Sequence, residues 1–309
     1  MQQVNAQLTT AFSRFFSKIG GHPRFKSKKT HRKSYKTVST IHISDDKRLK
    51  IPKIGVIKCK GRKLPNQKVK SATLSVSPFG DYTVTLLFEH ENQVFEKTNK
   101  TIGLDFGVSD LVIGSNGLRI PTIRFDKILA EKKHYWEKRM ARRLLSAKKE
   151  LAREDFLETD NQRTVLDFKN YQAARKMVAK YNEKIANQRK DYLHKISKKL
   201  IEEYDLIAIE NLKTTNLLKN KNLSRDIANQ SWRLLREMLE YKSDQYGRRL
   251  ELVNPYKTSQ ICSHCNYDDG KHELSVRDWF CPKCKTHHDR DINAAKNILT
   301  LGLEQALVR

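Results

Sequence analysis

Residues 262–298 read CSHCNYDDGKHELSVRDWFCPKCKTHHDRDINAAKNI, and more chemistry is packed here than anywhere else in the chain. Cys262 and Cys265 form one CxxC, and Cys281 and Cys284 form a second. Fifteen residues lie between the pairs, the spacing of a four-thiolate zinc ribbon. Each CxxC is a tight turn whose two sulfurs can face one ion, and Zn²⁺ accepts four thiolates in a tetrahedron without redox chemistry. A closed site of that kind is structural. His264, His272, His287 and His288 are each able to replace a thiolate, so the spacing predicts the metal more firmly than its ligand set. Directly after the ribbon, His288 to Ile298 reads as a helix start, with acids in the first turn and alanines behind them. Taken alone, Asp291 is an ordinary candidate for a helix cap.

Outward from this stretch, two further acids change that reading. Thr101 to Val108 (TIGLDFGV) is a short apolar strand ending at Asp105 with glycines on either side, and Leu206 to Asn211 (LIAIEN) is another ending at Glu210. Two strand ends and a helix start can bring Asp105, Glu210 and Asp291 together. That is the arrangement of RNase H-like nucleases, in which carboxylates on a central sheet and a neighbouring helix hold two divalent metals.

These segments, in this order and with a four-cysteine ribbon before the last, resemble the RuvC-like nuclease of the TnpB family, the transposon-encoded RNA-guided endonucleases also called OrfB-type transposases; type V CRISPR effectors share that core. The resemblance runs from about Phe12 to Leu301. Its most specific parts are the ribbon with HDRDINAAKNI and the GLDFGV and IENL segments, and Asn187 to Lys195 (NQRKDYLHK) is similar to a helical motif of the family. It implies hydrolysis of DNA phosphodiesters by two Mg²⁺ ions held by Asp105, Glu210 and Asp291. One ion would lower the pKa of the attacking water and the other would steady the leaving 3′-oxygen. It implies one structural zinc on Cys262, Cys265, Cys281 and Cys284, whose ribbon shapes the substrate path, and a guide RNA that chooses the DNA target. It also singles out Arg189 and His194 as nucleic-acid contacts. Two positions depart from the family pattern: Asn266 and Lys285 stand where glycine usually follows each CxxC, and the left-handed turn expected there suits Asn better than Lys. Family members usually begin with a barrel strand and a helical recognition region ahead of the segment seen here as Leu8 to Pro23, so the reader of the flanking DNA motif is expected to be missing.

The composition agrees with a polyanionic partner. Sixty-one Lys and Arg against thirty-five Asp and Glu give a net charge of +26, far beyond what solubility requires. The charge is uneven: residues 1–70 hold nineteen Lys and Arg and two Asp, a net +17. Within that region Arg24, Lys26, Lys28, Lys29, Arg32 and Lys33 follow one another with Phe25 and Tyr35 nearby and no acid between them, a pattern that suits a segment laid against phosphates. No amphipathic basic helix, lipidation site, signal core or membrane-length apolar run is present, which argues against a membrane partner. Thiolates poised for zinc need a reducing compartment, and the expected location is the prokaryotic cytoplasm at the nucleoid. Cys59 reads as a small strand residue.

The chain divides into five expected parts. Residues 1–36 read as a basic helical remnant of the recognition region, with Leu8, Phe12, Phe15, Phe16 and Ile19 on the buried side of a helix over Val4 to Ile19. Residues 37–98 alternate apolar and polar positions between turn signals and predict a small β-barrel or sheet, which the resemblance makes a wedge-like nucleic-acid-binding domain. Residues 99–255 form the RuvC-like core. Within it, a strand pair turns at Asn116-Gly117 and a long helical hairpin over 124–200 is joined near Glu158 to Gln162. A helix follows over Asn222 to Gly247, and one more strand over Glu251 to Val253. Residues 256–288 are the zinc ribbon, where Trp279 and Phe280 are candidate core aromatics, and 289–309 the final core segment and terminal helix. The fold class is thus α/β, RNase H-like, with a helical hairpin, an inserted ribbon and a small amino-terminal β domain. Two other functions fit parts of the sequence: a nucleic-acid-binding repressor or transposon accessory factor that does not cut, and a zinc-ribbon RNA-binding factor. Neither explains three acids at two strand ends and a helix start.

Overall fold

The computed structural model describes residues 2–25, 33–38, 40–44, 48–61, 67–157, 163–212, 231–273 and 276–308. They fall into two compact units, Met1–Glu91 with Lys132–Asn182, and Asn92–Glu131 with Glu183–Arg309.

The second unit is built on a five-stranded mixed sheet. Its strands are β7 (Thr101–Asp105), β8 (Asp110–Gly114), β9 (Arg119–Pro121), β10 (Leu206–Glu210) and β11 (Arg249–Val253), in spatial order β11-β10-β7-β8-β9. The β7–β8–β9 meander is antiparallel, and β10 and β11 lie parallel to β7 and to each other. Strands β7 and β10 are nearly continuous apolar runs because both faces are covered. Alternation along them separates two cores. Ile102, Leu104, Ile207 and Ile209 point to a layer made by Leu193, Ile196, Leu200 and Ile201 of α4 (Lys169–Glu203) and Trp232, Leu235, Met238 and Leu239 of α5 (Trp232–Tyr246). Leu206 and Ala208 point the other way, onto Ile298 of α6 (Arg290–Val308).

Helix α6 lies unusually close to the sheet, and two glycines allow it. A Cβ on Gly103 of β7 would fall 2.6 Å from the Leu299 amide nitrogen and nearer still to the Ala295 carbonyl oxygen, while a Cβ on Gly302 would collide with that of Ala208 on β10. The beginning of the unit is tied to the sheet by Asp205, whose carboxylate accepts the Thr98 and Asn99 amides at 2.8–3.0 Å and pairs with the buried Arg248 at 2.5 Å.

In the first unit, α1 (Gln2–Phe16) is followed by six short strands: β1 (Ser34–Thr37), β2 (His42–Ser44), β3 (Arg48–Ile51), β4 (Gly55–Lys58), β5 (Val69–Val76) and β6 (Tyr82–Phe88). They make two antiparallel three-stranded sheets, β1-β5-β6 and β2-β3-β4, around Ile41, Leu49, Ile51, Val69 and Ala72, with Cys59 packed at the margin. Strand β1 straddles the boundary expected at residue 36. Helix α1 does not bury the face expected of it: Leu8, Phe16 and Ile19 are exposed, and only Phe12 and Phe15 are partly covered, each edge-on to His22. The apolar positions do share a face, but the cover on its partly buried aromatics comes from His22, just beyond the helix end.

The span expected to form the helical hairpin holds α2 (Phe125–Ile128), α3 (Ala130–Phe156), a 3₁₀ turn (Val165–Asp167) and α4. Its joint at Glu158 to Gln162 lies outside the described residues, as do residues 222–230 of the helix expected from Asn222. Arg163 holds the hairpin by pairing with Glu150 at 3.3 Å and with Glu154.

Candidate metal and nuclease site

The parallel register of β7 and β10 pairs Ile209 with Leu104, which sets the next residues, Glu210 and Asp105, side by side at the carboxyl ends of neighbouring strands. Both have the parity of Gly103 and Ala208, so both face α6. Helix α6 begins at Arg290 above these strand ends, and Asp291 joins the two acids from the other side. The mutual closeness is electrostatically visible. Burial, then the Glu210 and Asp291 carboxylates, push the Asp105 carboxyl up to about 7. Burial also raises Glu210, against a hydrogen bond from Thr258 that lowers it. Asp105 and Glu210 are shielded from water, while Asp291 is paired with arginines; their oxygens are donors of the hard kind that Mg²⁺ accepts.

Asp291 is not the helix cap. Asp289 takes that role, its Oδ1 accepting the amides of Asp291 and Ile292 at 3.0 and 2.9 Å. Its other oxygen pairs with Arg119 at 2.6 Å, and Arg119 also holds Asp110 at 3.0 Å. Asp291 is thereby left to face the sheet, with Arg277 at 2.8 Å and Arg290 at 3.6 Å beside it.

The ribbon stands next to α6. The sulfurs of Cys262, Cys265, Cys281 and Cys284 all lie within 4.8 Å of one another, with Cys262–Cys284 and Cys265–Cys281 at 3.6 Å. Four sulfurs about 2.3 Å from one ion would stand about 3.8 Å apart, so the set fits zinc without rearrangement. Both knuckles are closed by a backbone bond, Asn266 N–H to Cys262 and Lys285 N–H to Cys281, each 2.9 Å. Asn266 and Lys285 both take the left-handed conformation at φ 59°, so the turn holds even where Lys replaces the usual glycine. Of the histidines, none joins the sulfur cluster among the described residues. His288 approaches from outside, its Nε2 3.0 Å from the Cys262 sulfur. Trp279 is buried between His272 and His288, with ring centroids 4.8 Å apart on each side, whereas Phe280 is exposed beside His287.

Several residues that spacing did not single out connect ribbon and acids. Thr258 donates its hydroxyl to Glu210 Oε1 at 2.5 Å, in place of the turn or phosphate role its sequence context suggests. Asn293 and Asn297, one turn apart on α6, donate to the Ile261 carbonyl at 2.8 and 2.7 Å, and Asn297 donates also to the Thr258 carbonyl at 2.8 Å. The sequence signal for this clasp is the pair of amides at i and i+4, which share one face of α6.

The remaining expected contacts are dispersed. Arg189, on α4, is half-buried, and burial lowers its pKa against the nearby Asp126. His194 lies on the same helix, its Nδ1 3.4 Å from the Tyr241 hydroxyl, and burial lowers it as well. Arg24 and Lys33 are exposed; Lys26, Lys28, Lys29 and Arg32 lie outside the described residues. Among the described residues no helix is long and apolar enough to cross a membrane.

Comparison with known proteins accords with this architecture. A "Probable transposase" family profile matches residues 85–221 and a "Cas12f1-like, TNB domain" profile matches residues 232–298. A "Putative RNA-guided DNA endonuclease" of Streptomyces pristinaespiralis is 34% identical over 308 residues, covering 98% of this chain and 71% of that protein. The chain belongs to the TnpB/OrfB family. Its relatives include the "Putative RNA-guided DNA endonuclease InsQ" of Escherichia coli K12, 28% identical over 98% of this chain and 74% of the relative. Among solved structures, a Cas12f1–sgRNA–target DNA complex is similar with a TM-score of 0.45 and 18% identity, over 75% of this chain. The chain spans about half the length of that protein, 46%.

Proposed function

We propose that this TnpB/OrfB-family chain is a transposon-associated RNA-guided DNA endonuclease, acting at the nucleoid in the cytoplasm, with its hydrolytic centre at Asp105, Glu210 and Asp291. The observation that carries the reading is the parallel register of β7 and β10, which sets Asp105 and Glu210 adjacent and facing the helix start that bears Asp291. A five-stranded sheet of order β11-β10-β7-β8-β9, its first three strands in chain order antiparallel and its last two parallel to the first, supports an RNase H-like, RuvC-like core.

Two Mg²⁺ ions bound there would activate the attacking water and neutralise charge on the leaving 3′-oxygen. The chain's part is positional. Asp105 stands shielded at the strand end, between the other two acids. Glu210 is aimed by the Thr258 hydroxyl, and Asp291 is presented by a helix start whose amides Asp289 has already satisfied. No side-chain nucleophile is needed. The four thiolates would hold one structural Zn²⁺, and the closed tetrad leaves no open position for chemistry. Guide RNA and DNA would meet the basic amino-terminal region, Arg24 and Lys33 among its exposed cations, with the two small sheets as a wedge-like grip and the positive faces of α3 and α4 adding phosphate contacts. Target choice would rest on base pairing with the guide.

The test is metal-dependent cleavage of a guide-matched duplex by the chain purified with its co-expressed RNA. Asp105→Ala, Glu210→Ala and Asp291→Ala should each lower the rate by about 10³ or more while RNA binding stays near wild type. Bound RNA with no cutting by the unaltered chain would overturn the nuclease reading in favour of a binding-only protein.

A further inference from the structure

We propose that Thr258 is a positioning residue for the carboxylate centre, and that Asn293 and Asn297 anchor it, so that Glu210 and Asp291 are held in register by one hydrogen-bonded unit that includes the first zinc knuckle. The inference rests on the nuclease reading above and deepens it.

Thr258 is 5% exposed, so its hydroxyl is not a surface group that happens to meet an acid. It donates to Glu210 at 2.5 Å, and its carbonyl is held by Asn297 at 2.8 Å. Asn293, 1% exposed, grips the knuckle twice: its amide group donates to the Ile261 carbonyl at 2.8 Å, and its side-chain carbonyl accepts the Ser263 amide at 2.8 Å. Cys262 lies between those two backbone groups. A glutamate at a strand end has three side-chain torsions to fix, and β10 fixes only its Cα. The Thr258 hydroxyl removes that freedom, and because Thr258 hangs from α6 through Asn297, it places Glu210 relative to Asp291 rather than merely near it. The knuckle fixes the backbone of 258–263 in turn, which makes the thiolate cluster a distant support of the acids.

The experiment compares Thr258→Val, which keeps the shape and removes the hydroxyl, with Thr258→Ser, which restores the donor, and with Asn297→Ala. Mn²⁺ binding to zinc-loaded, nucleic-acid-free protein is read by calorimetry, beside zinc content, melting temperature and, in the RNA complex, the Mg²⁺ dependence of cleavage. Orienting partners of metal ligands are typically worth 10- to 100-fold in affinity. Thr258→Val should therefore keep one zinc and its melting temperature but weaken Mn²⁺ binding about tenfold, Asn297→Ala should weaken it in the same direction, and Thr258→Ser should recover it. Unchanged Mn²⁺ affinity in both Thr258→Val and Asn297→Ala would overturn the proposal and leave the nuclease reading intact. If wild type shows no Mn²⁺ site that Asp105→Asn removes, the nuclease reading itself falls. A Thr258→Val chain that fails to fold leaves the decision to Asn297→Ala and to the zinc content, where loss of zinc with unchanged Mn²⁺ affinity counts against the coupling.

Discussion

The thiolate cluster and the carboxylate cluster belong to one compact unit, yet they are assembled by opposite means. The four sulfurs come from two local turns, each closed by its own backbone bond with Asn266 or Lys285 in the left-handed region, and they converge to within 4.8 Å. The three acids come from elements far apart in the chain and converge only because β10 lies in parallel register against β7 and because two glycines let α6 settle on both strands. The sulfurs lie where one ion would want them. The acids are held in a place that disfavours their charge, as Asp105 records: burial first, then the Glu210 and Asp291 carboxylates, push it up. On the proposed function, one centre is a support and the other a site that a divalent ion would relieve.

If that contrast is right, the largest effect belongs to the ribbon. Cys262→Ser should lose close to one equivalent of zinc per chain, measured by elemental analysis, and destabilise the second unit by several kcal/mol, because structural zinc binding contributes folding free energy directly. A folded, active variant without any metal at the thiolates would break the comparison from one side.

The next effect tests the strain in the acids. The Asp105 carboxyl has an ordinary value of 3.8 and stands at about 7 in the fold. Between these values the folded chain keeps a proton that the unfolded chain has lost, so without divalent ions stability should fall as pH rises through that window, by on the order of 4 kcal/mol across it. Mg²⁺ should therefore raise the melting temperature more at pH 8 than at pH 5, and Asp105→Asn should flatten the pH dependence and remove the Mg²⁺ effect. A wild-type melting temperature that rises steadily from pH 4 to pH 7 in divalent-free buffer would contradict the burial of Asp105 beside the other two acids.

The smallest effect sharpens the comparison at its geometric root. Gly103→Ala puts a methyl into the backbone of α6 and should cost about 1–3 kcal/mol in chemical denaturation. The displaced helix carries Asp291, so cleavage should fall while zinc content does not. Gly21→Ala, with nothing within 4 Å of the added carbon, should do neither.

How far each centre could be read from sequence follows the same division. The cysteines were legible from spacing because their geometry is local, and the histidines were set aside only when the fold put His288 behind Cys262 as a neighbour of the sulfur. The strands ending at Asp105 and Glu210 were legible because both are apolar runs stopped by an acid, a pattern that strands covered on both faces produce. Which of Asp289 and Asp291 caps the helix could not be read, since either can reach the free amides and only the placement of Arg119 and the sheet separates them. The roles of Thr258, Asn293, Asn297 and Arg277 are not legible in the sequence for a related reason: each acts through a partner in another element. Periodicity over Val4 to Ile19 predicts a half-buried helix, but it says which residues share a face and not whether anything lies against it.

The wide separation of Asp105 from Glu210 also has a meaning in time. Closing a loop of some hundred residues costs roughly 1.5 kcal/mol more in chain entropy than closing one the size of the ribbon, and pairings between parallel strands that distant form slowly. A chain still collapsing can therefore gather its cysteines long before its acids meet. Asp291 joins the other two acids only once α6 is seated across both strands, so the proposed hydrolytic centre needs that docking as well as the strand pairing. On the proposed function, a chain still folding would bind its thiolate metal well before it could bind one at the acids.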